Sequence, residues 1–193
     1  MRFLVFIIIT LCSSVALSND NLKDVKFNIS SGSINHSGLV IDYSLYRSSD
    51  LAKTGAYSDG FVKKTIKRSI DKMNLFLSKK NLKPLECRGI KQKIKIYYIS
   101  SKLLNDRSRF SLYGLENPNI NEKTNLIGFY DPTRYDVRSD SIIVTNISST
   151  RNSSLLAHEF SHYIYNRYCI MAQTYQNTEP FAIEFEKFYS EDL

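Results

Sequence analysis

The feature that most restricts the fold of this chain is the segment LLAHEFSHY at residues 155–163. Two of the three histidines in the chain, His158 and His162, lie in it four residues apart. In an α-helix, residues at this spacing lie one turn apart on the same face, so both imidazoles can reach one ion at about 2.0–2.1 Å. A pair of hydrogen-bonded core histidines is the alternative, but a charged glutamate between them on an otherwise apolar helix does not fit it. The segment therefore predicts a helix that presents two imidazoles to a metal ion.

Glu159 directly follows the first histidine of this pair. It projects toward the same cleft but lies too far around the helix to bind the metal well. Zinc lowers the pKa of a bound water toward about 7, and a carboxylate beside that water can take its proton during attack on a carbonyl. We therefore predict His158 and His162 as zinc ligands and Glu159 as a catalytic general base.

A catalytic zinc site needs a third protein ligand as well as an open position for water. The remaining histidine, His36, lies far upstream in a segment rich in Asn and Ser. No third histidine follows the pair closely, because the chain continues as YIYNRY at residues 163–168. A downstream carboxylate is the better candidate, and three of them, Glu179, Glu184 and Glu186, lie on the predicted last helix.

The two helical motifs together resemble those of the gluzincin metallopeptidases, in which a downstream Glu-x-x-Ala or Glu-x-x-Asp helix supplies a glutamate to the metal. The segment EPFAIEF at residues 179–185 is similar to that helix, and to the Glu-x-x-Ala-x-x-Phe helix of small bacterial zincins. The resemblance covers residues 126–189 and implies that Glu179 is the third ligand, with Glu184 and then Glu186 as alternatives. It also implies zinc as the cofactor and peptide-bond hydrolysis as the activity. A zincin-like domain that binds metal and a partner with little turnover is the alternative function.

Hydrophobic periodicity predicts an α+β order of helix, strands, helix and helix, after an irregular or weakly stranded lead-in over residues 19–40. The predicted helices cover residues 59–80, 154–168 and 178–189, and the predicted strands cover residues 93–99, 126–130 and 141–146. Together with the resemblance, this order implies a minimal zincin-like domain with a small mixed sheet, an HExxH helix, a backing helix and a C-terminal ligand-bearing helix. The resemblance also implies that residues 142–146 form an edge strand that pairs with an extended substrate, and an ordinary sheet strand is the alternative.

The N-terminus has the pattern of a secretion signal. Arg2 precedes an apolar run over residues 3–11, and the small residues at 16–18 predict cleavage before Asn19. The run is short for a bilayer span, which takes about 20 residues, so a retained membrane anchor is the weaker alternative. We therefore expect a signal peptide over residues 1–18, a single secreted or periplasmic domain over residues 19–193, and no other membrane attachment.

Cysteine content and charge add two further predictions. Cys87 and Cys169 remain after signal removal, and an even pair in an exported protein favours a disulfide over free thiols. The chain carries a formal net charge of +7, with lysines clustered along the predicted first helix. No nucleic-acid motif accompanies this charge, so we interpret the lysines as the solvated face of a helix and expect a peptide or protein as the partner.

Overall fold

A computed structural model describes residues 26–49, 51, 56–85, 91–104, 127–131, 140–167 and 178–191. Its elements, in chain order, are β1 (Phe27–His36), β2 (Leu39–Ser48), α1 (Asp59–Lys79), β3 (Lys91–Tyr98), α2 (Ser101–Leu104), β4 (Gly128–Asp131), β5 (Asp140–Val144), α3 (Ser149–Asn166) and α4 (Thr178–Ser190). The described part is therefore a mixed α/β structure with a five-stranded mixed sheet, consistent with the predicted α+β class.

The sheet has the strand order β1-β2-β3-β5-β4. Its three inner strands, β2, β3 and β5, are parallel, whereas β1 and β4 run antiparallel to their neighbours on the two sides. Parallel neighbours need a crossover connection, and α1 provides it between β2 and β3. The chain then passes through α2 and β4 before it returns to the centre of the sheet as β5.

One face of the sheet and the three long helices share a core. Inward side chains of the parallel strands pack with α1, α3 and α4, and the members with the least exposure include Ile41, Leu45, Ile66, Ile70, Ile96, Tyr98, Ile142, Val144, Leu156, Phe160, Phe181 and Phe185. A smaller apolar cluster, which includes Tyr97, Phe129 and Ile143, lies on the other face. The main core is what holds α3 against the end of the sheet that carries β4 and β5.

The first helix agrees with its prediction. Ser58 caps it by accepting a hydrogen bond from the Phe61 N–H at 3.2 Å, and Asp59 lies in the first turn, where an acidic side chain favours the helix dipole. The helix ends at Lys79, and Asn81 follows with a φ of 56°. Asn tolerates this left-handed conformation better than most residues, which explains why the helix stops there.

From residue 27 onward the lead-in belongs to two full strands, where the sequence predicted an irregular or weakly stranded segment. β1 and β2 form a ten-residue antiparallel hairpin whose two-residue turn, Ser37-Gly38, has φ values of 50° and 80°. Two positive φ angles are the mark of a type I′ turn, whose twist suits a hairpin. The predicted element order is corrected accordingly, because two strands precede the first helix.

The helix that carries His158 and His162 (the metal-motif helix, α3) begins earlier than predicted. Ser148 is its cap and accepts from the Arg151 N–H at 3.4 Å, so α3 starts at Ser149 and not near Ser154. The sequence offers Asn152 or Ser153 as the cap, but Asn152 accepts from the Ile147 N–H at 2.9 Å and donates to the Asn146 side chain at 2.8 Å. These bonds fix the connection between β5 and α3.

Two predictions fall outside the described residues, namely the signal peptide over residues 1–18 and the Cys87–Cys169 disulfide. Among the described helices, none combines the length and the apolar character that a bilayer crossing requires.

Candidate metal centre

The imidazoles of His158 and His162 face each other across one turn of α3. Their Nε2 atoms lie 3.2 Å apart, and the two residues are only 9% and 7% exposed. Two tetrahedral zinc ligands with bonds of about 2.0–2.1 Å would be separated by about 3.3 Å, so the nitrogen pair has the spacing that a zinc ion needs.

Glu179, in the first turn of α4, adds a carboxylate to this pair. Its Oε1 atom lies 3.5 Å from Nε2 of His158, and its Oε2 atom lies 3.2 Å from Nε2 of His162. The hydrogen bonds to His158 and His162 hold the pKa of this carboxyl far below its usual range, so it is ionised. Both distances match the separation of neighbouring ligands in a tetrahedral shell, and the donor set of two imidazoles and one carboxylate suits zinc.

Glu159 lies beside this set and is more deeply buried. Its carboxylate and the two imidazoles have ligand atoms that all lie within 4.8 Å of one another. Glu159 is 5% exposed, and this burial raises the pKa of its carboxyl group from the ordinary value of 4.5 to about 8. The charge on His158 lowers that pKa, and the carboxylates of Glu179 and Glu186 raise it. A carboxyl group with a pKa near neutrality can both accept and donate a proton there.

The outer nitrogens of both imidazoles also have partners. Nδ1 of His158 lies 3.0 Å from a carboxylate oxygen of Glu186, and Nδ1 of His162 lies 2.8 Å from the hydroxyl of Thr178. A carboxylate only accepts hydrogen bonds, so Nδ1 of His158 donates to Glu186, and Nε2 is the atom that faces His162 and Glu179. Such outer partners orient metal-binding histidines and raise their basicity.

The pKa values of the two imidazoles differ because their neighbours differ. Burial opposes a charge on His158, but hydrogen bonds to Glu179 and Glu186 raise its pKa to about 10. Burial lowers the pKa of His162. The hydrogen bond to Glu179 raises that pKa, whereas the charge of His158 lowers it further.

Helix α4 carries Glu179 and Glu186 on the same face as the small residue Ala182. Glu179, Ala182 and Glu186 recur at three- and four-residue steps and so share one face. Ala182 is fully buried and Phe181 packs on Tyr165 of α3 with ring centroids 5.1 Å apart. Pro180 lies in the first turn, where its missing N–H has no helical partner to lose.

The two alternative ligands occupy other positions. Glu184 forms an ion pair with Lys80 just after α1, away from the imidazoles. Glu186 reaches the outer nitrogen of His158 and not the Nε2 pair. His36 also lies elsewhere, because its Nε2 atom is 2.8 Å from a carboxylate oxygen of Asp71 on α1.

The prediction that residues 142–146 form an edge strand was wrong. β5 pairs with β3 on one side and with β4 on the other, and all five of its residues are buried. A strand that is paired and buried on both sides is an interior strand, so its backbone is not free to bind a substrate.

Among the described strands, β4 forms the edge next to the metal-motif helix. The Thr145 N–H donates to the carbonyl of Ile127 at 3.0 Å, and in an antiparallel ladder such bonded positions alternate. The backbone N–H and C=O groups of Gly128 and Tyr130 therefore face away from β5. A Cβ atom at Gly128 would lie 3.0 Å from Oε1 of Glu159, so this edge passes directly beside the buried carboxyl group.

Thr178, Gly128 and Tyr130 were not identified from the sequence as site residues. Thr178 immediately precedes the proposed ligand, so its place in the same helical turn was a usable signal. The contact of β4 with α3 depends on tertiary packing, and no local pattern around Gly128 or Tyr130 indicated it.

Comparison with models of known protein families, with curated proteins and with solved structures finds no match to this chain.

Proposed function

We propose that this protein is a zinc-dependent peptidase. The observation that carries the proposal is the set of distances from 3.2 to 3.5 Å among Nε2 of His158, Nε2 of His162 and the carboxylate of Glu179. These three groups come from two helices and converge at the spacing of zinc ligands. A zinc ion held there would act as a Lewis acid that polarises a carbonyl group and activates water at neutral pH.

The protein's own residues would then perform the proton transfers. Glu159 would accept a proton at its carboxylate from the attacking water and pass it to the leaving amine. Its position suits both steps, because its carboxylate lies beside the imidazole pair, with ligand atoms of all three groups within 4.8 Å of one another. The outer partners Glu186 and Thr178 would keep the two imidazoles turned toward the metal.

The edge strand β4 offers a place for the substrate. The outward backbone groups of Gly128 and Tyr130 can pair with an extended peptide, as in other cases of strand addition to a sheet edge. Because Gly128 passes beside Oε1 of Glu159, a peptide bound there would lie close to the general base. This replaces residues 142–146 as the proposed substrate strand.

The described fold supports the proposal that this domain is zincin-like. A mixed sheet, an edge strand next to the HExxH helix and a C-terminal helix that carries Glu179 are parts that the resemblance to gluzincins implies. The signal-like residues 1–18 support export, so we place the activity outside the cytosol, in the periplasm or the secreted fraction.

A metal-binding domain with little turnover is the second candidate. The Glu179 side chain is 58% exposed, so one side of the centre opens to solvent and would leave a bound peptide poorly shielded from water.

Metal analysis and peptide cleavage test these proposals together. We expect purified protein to hold about one zinc per chain and to cleave peptides from a mixed library, and a chelator to abolish cleavage. Glu159→Gln should keep zinc and lower kcat/KM by about 10²-fold or more. Glu179→Gln should lose zinc, whereas the matched control Glu184→Gln, on the same helix but paired with Lys80, should keep both zinc and activity.

The outcomes separate the candidates. Protein that binds no zinc at micromolar concentration would rule out both functions. Wild-type protein that binds zinc tightly but cleaves nothing in the library would favour the second candidate.

A further inference from the structure

A cluster of three side chains, Tyr130, Asp140 and Arg167, lies next to the candidate metal centre. The Tyr130 ring is nearly parallel to the imidazole of His162, with an interplanar angle of 10° and ring centroids 6.3 Å apart. This is an offset stack at the upper end of the distances at which aromatic pairs interact. Tyr130 also meets the ring of Tyr163 edge-on, at 6.3 Å and 69°. The ring of Tyr130 therefore lies beside the His162 imidazole, in nearly the same orientation.

The position of Tyr130 is in turn set by Asp140. The carboxylate of Asp140 is almost inaccessible, at 1% exposure, and its Oδ2 atom accepts a hydrogen bond from the Tyr130 hydroxyl at 2.7 Å. The same oxygen accepts from Nε of Arg167 at 2.7 Å, and the other carboxylate oxygen accepts from a terminal nitrogen of that guanidinium. The Asp140 carboxylate thus forms a bidentate salt bridge with Arg167 and accepts a third hydrogen bond from the Tyr130 hydroxyl.

The three members come from three different elements. Tyr130 belongs to the edge strand β4, Asp140 begins the interior strand β5, and Arg167 is the C-terminal cap of α3. Replacing a buried ion pair with apolar residues is often neutral or stabilising, so such a pair is weak support for stability. Here the bonds join β4, β5 and the C-terminal end of α3, the helix that carries His162, which points to a role in the relative placement of these elements.

We propose that the Tyr130 cluster positions the metal ligand His162, with Tyr130 as a positioning residue that acts through ring contact and not through the metal. The proposal rests on the zinc centre described above. Thr178 holds the outer nitrogen of His162, and Tyr130 restricts rotation of its ring plane. Because Tyr130 also belongs to β4, the edge strand among the described strands, the same residue connects the proposed substrate strand with a proposed metal ligand.

Zinc affinity and the visible spectrum of the cobalt-substituted protein test this role. Tyr130→Leu removes the ring and should weaken zinc binding by about 10–100-fold, the range for outer-shell partners of metal ligands. Tyr130→Phe keeps the ring but releases it from Asp140, and we expect a smaller loss, of about 3–10-fold, with a shifted cobalt spectrum.

Two tyrosines outside the site provide matched controls. The Tyr43 hydroxyl also donates to a carboxylate, that of Asp59, at 2.9 Å, so Tyr43→Phe removes an equivalent bond elsewhere. Tyr46 stacks on Tyr97 with ring centroids 4.6 Å apart, so Tyr46→Leu removes an equivalent ring. Both controls should lower the melting temperature without changing the zinc affinity or the cobalt spectrum.

The failure of this proposal is distinct from failure of the zinc centre. If wild-type protein binds no zinc, the proposed function itself is wrong. If wild-type protein binds zinc and Tyr130→Leu binds it within twofold, with an unchanged cobalt spectrum, the positioning role is wrong and the zinc centre stands. Should Tyr130→Leu fail to fold, Tyr130→Phe decides alone, and a zinc affinity within twofold of Tyr43→Phe overturns the proposal.

Discussion

Glu159 is a buried carboxyl group whose pKa of about 8 lies above its ordinary value of 4.5. The folded protein therefore binds this proton more tightly than the unfolded chain does. This contribution to stability is complete below pH 4.5 and is lost as the pH rises through about 8. His158, whose pKa is raised from 6.5 to about 10, contributes in the same direction, because the unfolded imidazole loses its proton as the pH rises through 6.5. The part that belongs to Glu159 is therefore read from the difference between the wild type and a Glu159 variant.

From this we expect Glu159→Gln to stabilise the chelator-treated protein in a pH-dependent way. Glutamine cannot ionise, so the variant should match the wild type near pH 5 and exceed its free energy of unfolding by about 2–4 kcal/mol near pH 9. In thermal melts this is a gain of about 5–10 °C at the higher pH. Glu184→Gln, at a largely exposed ion pair, should show no comparable pH dependence. An equal gain at both pH values would contradict the assigned pKa.

Gly128 is a position where the absence of a side chain matters to the site. A Cβ atom there would lie 3.0 Å from Oε1 of Glu159, 3.0 Å from a Leu155 methyl group and 3.2 Å from the Ile143 carbonyl. Real Cβ atoms rarely approach other heavy atoms this closely, so β4 or Glu159 would have to move.

We therefore expect Gly128→Ala to lower kcat/KM by about tenfold while zinc content stays the same, because the shift acts on the proposed general base, Glu159, and not on the proposed ligands. Gly60→Ala is the matched control: its nearest heavy atom would be 4.0 Å away, in an exposed first turn of α1. That control should leave activity unchanged and stabilise the protein slightly. Steady-state peptide kinetics with zinc analysis would check both, and equal kinetics for the two variants would contradict the role assigned to Gly128.

At the scale of elements, the helices could be predicted from the sequence better than the sheet. α1 and α4 have strong periodicity, and their bounds differ from the prediction by one residue. α3 was placed correctly around its motif, but its start was missed because Ser148, Asn152 and Ser153 are all acceptable caps and only tertiary contacts select among them. Glu179 was predicted as the third ligand from the resemblance to gluzincins. The packing of α4 on α3 is what brings its carboxylate to the imidazoles.

The sheet was harder because its outer strands carry a weak local signal. β1 reads FNISSGSINH, and Ile34 is its one buried residue, so apolar alternation is nearly absent. β5 offered a better signal that was misinterpreted: an unbroken run such as Ile142-Ile143-Val144 is typical of an interior parallel strand. The edge role of β4 depends on long-range pairing, which no four-residue pattern can specify.

The contact between α3 and α4 supports a prediction at the same scale. Ala182 is fully buried on the face of α4 that carries Glu179 and Glu186. Ala182→Leu should push the two helices apart, lower the free energy of unfolding by about 1–3 kcal/mol and weaken zinc binding by about tenfold or more. Ile183→Leu, next in sequence but 42% exposed, should change neither property. Zinc competition and denaturant titration would measure both, and weakened stability with unchanged zinc affinity would contradict the link between packing and the ligand.

At the scale of the whole molecule, the proposed zinc centre connects two parts with different support. α3 packs in the main core against the sheet, whereas α4 is held by its contacts with α1 and α3 and by the site residues at its own start. A ligand that binds the folded state stabilises it in proportion to the logarithm of its concentration over Kd, by about 2.7 kcal/mol at 100 times Kd. Because Glu179 lies in α4 and the histidines lie in α3, zinc should oppose any opening that separates these two helices.

We therefore expect zinc to slow amide hydrogen exchange most strongly in α4. Local openings that release α4 break the ligand set, so their free energy should rise by the full binding term, whereas openings that leave the set intact are unaffected. The β1–β2 hairpin, at the opposite end of the sheet from β4, serves as an internal control whose exchange should change less. Glu179→Gln should abolish the protection of α4, and Glu184→Gln should preserve it. Exchange measured by mass spectrometry with zinc and with chelator would test this. Equal protection of the hairpin and α4 would show that zinc opposes only global unfolding and does not hold α4 against α3.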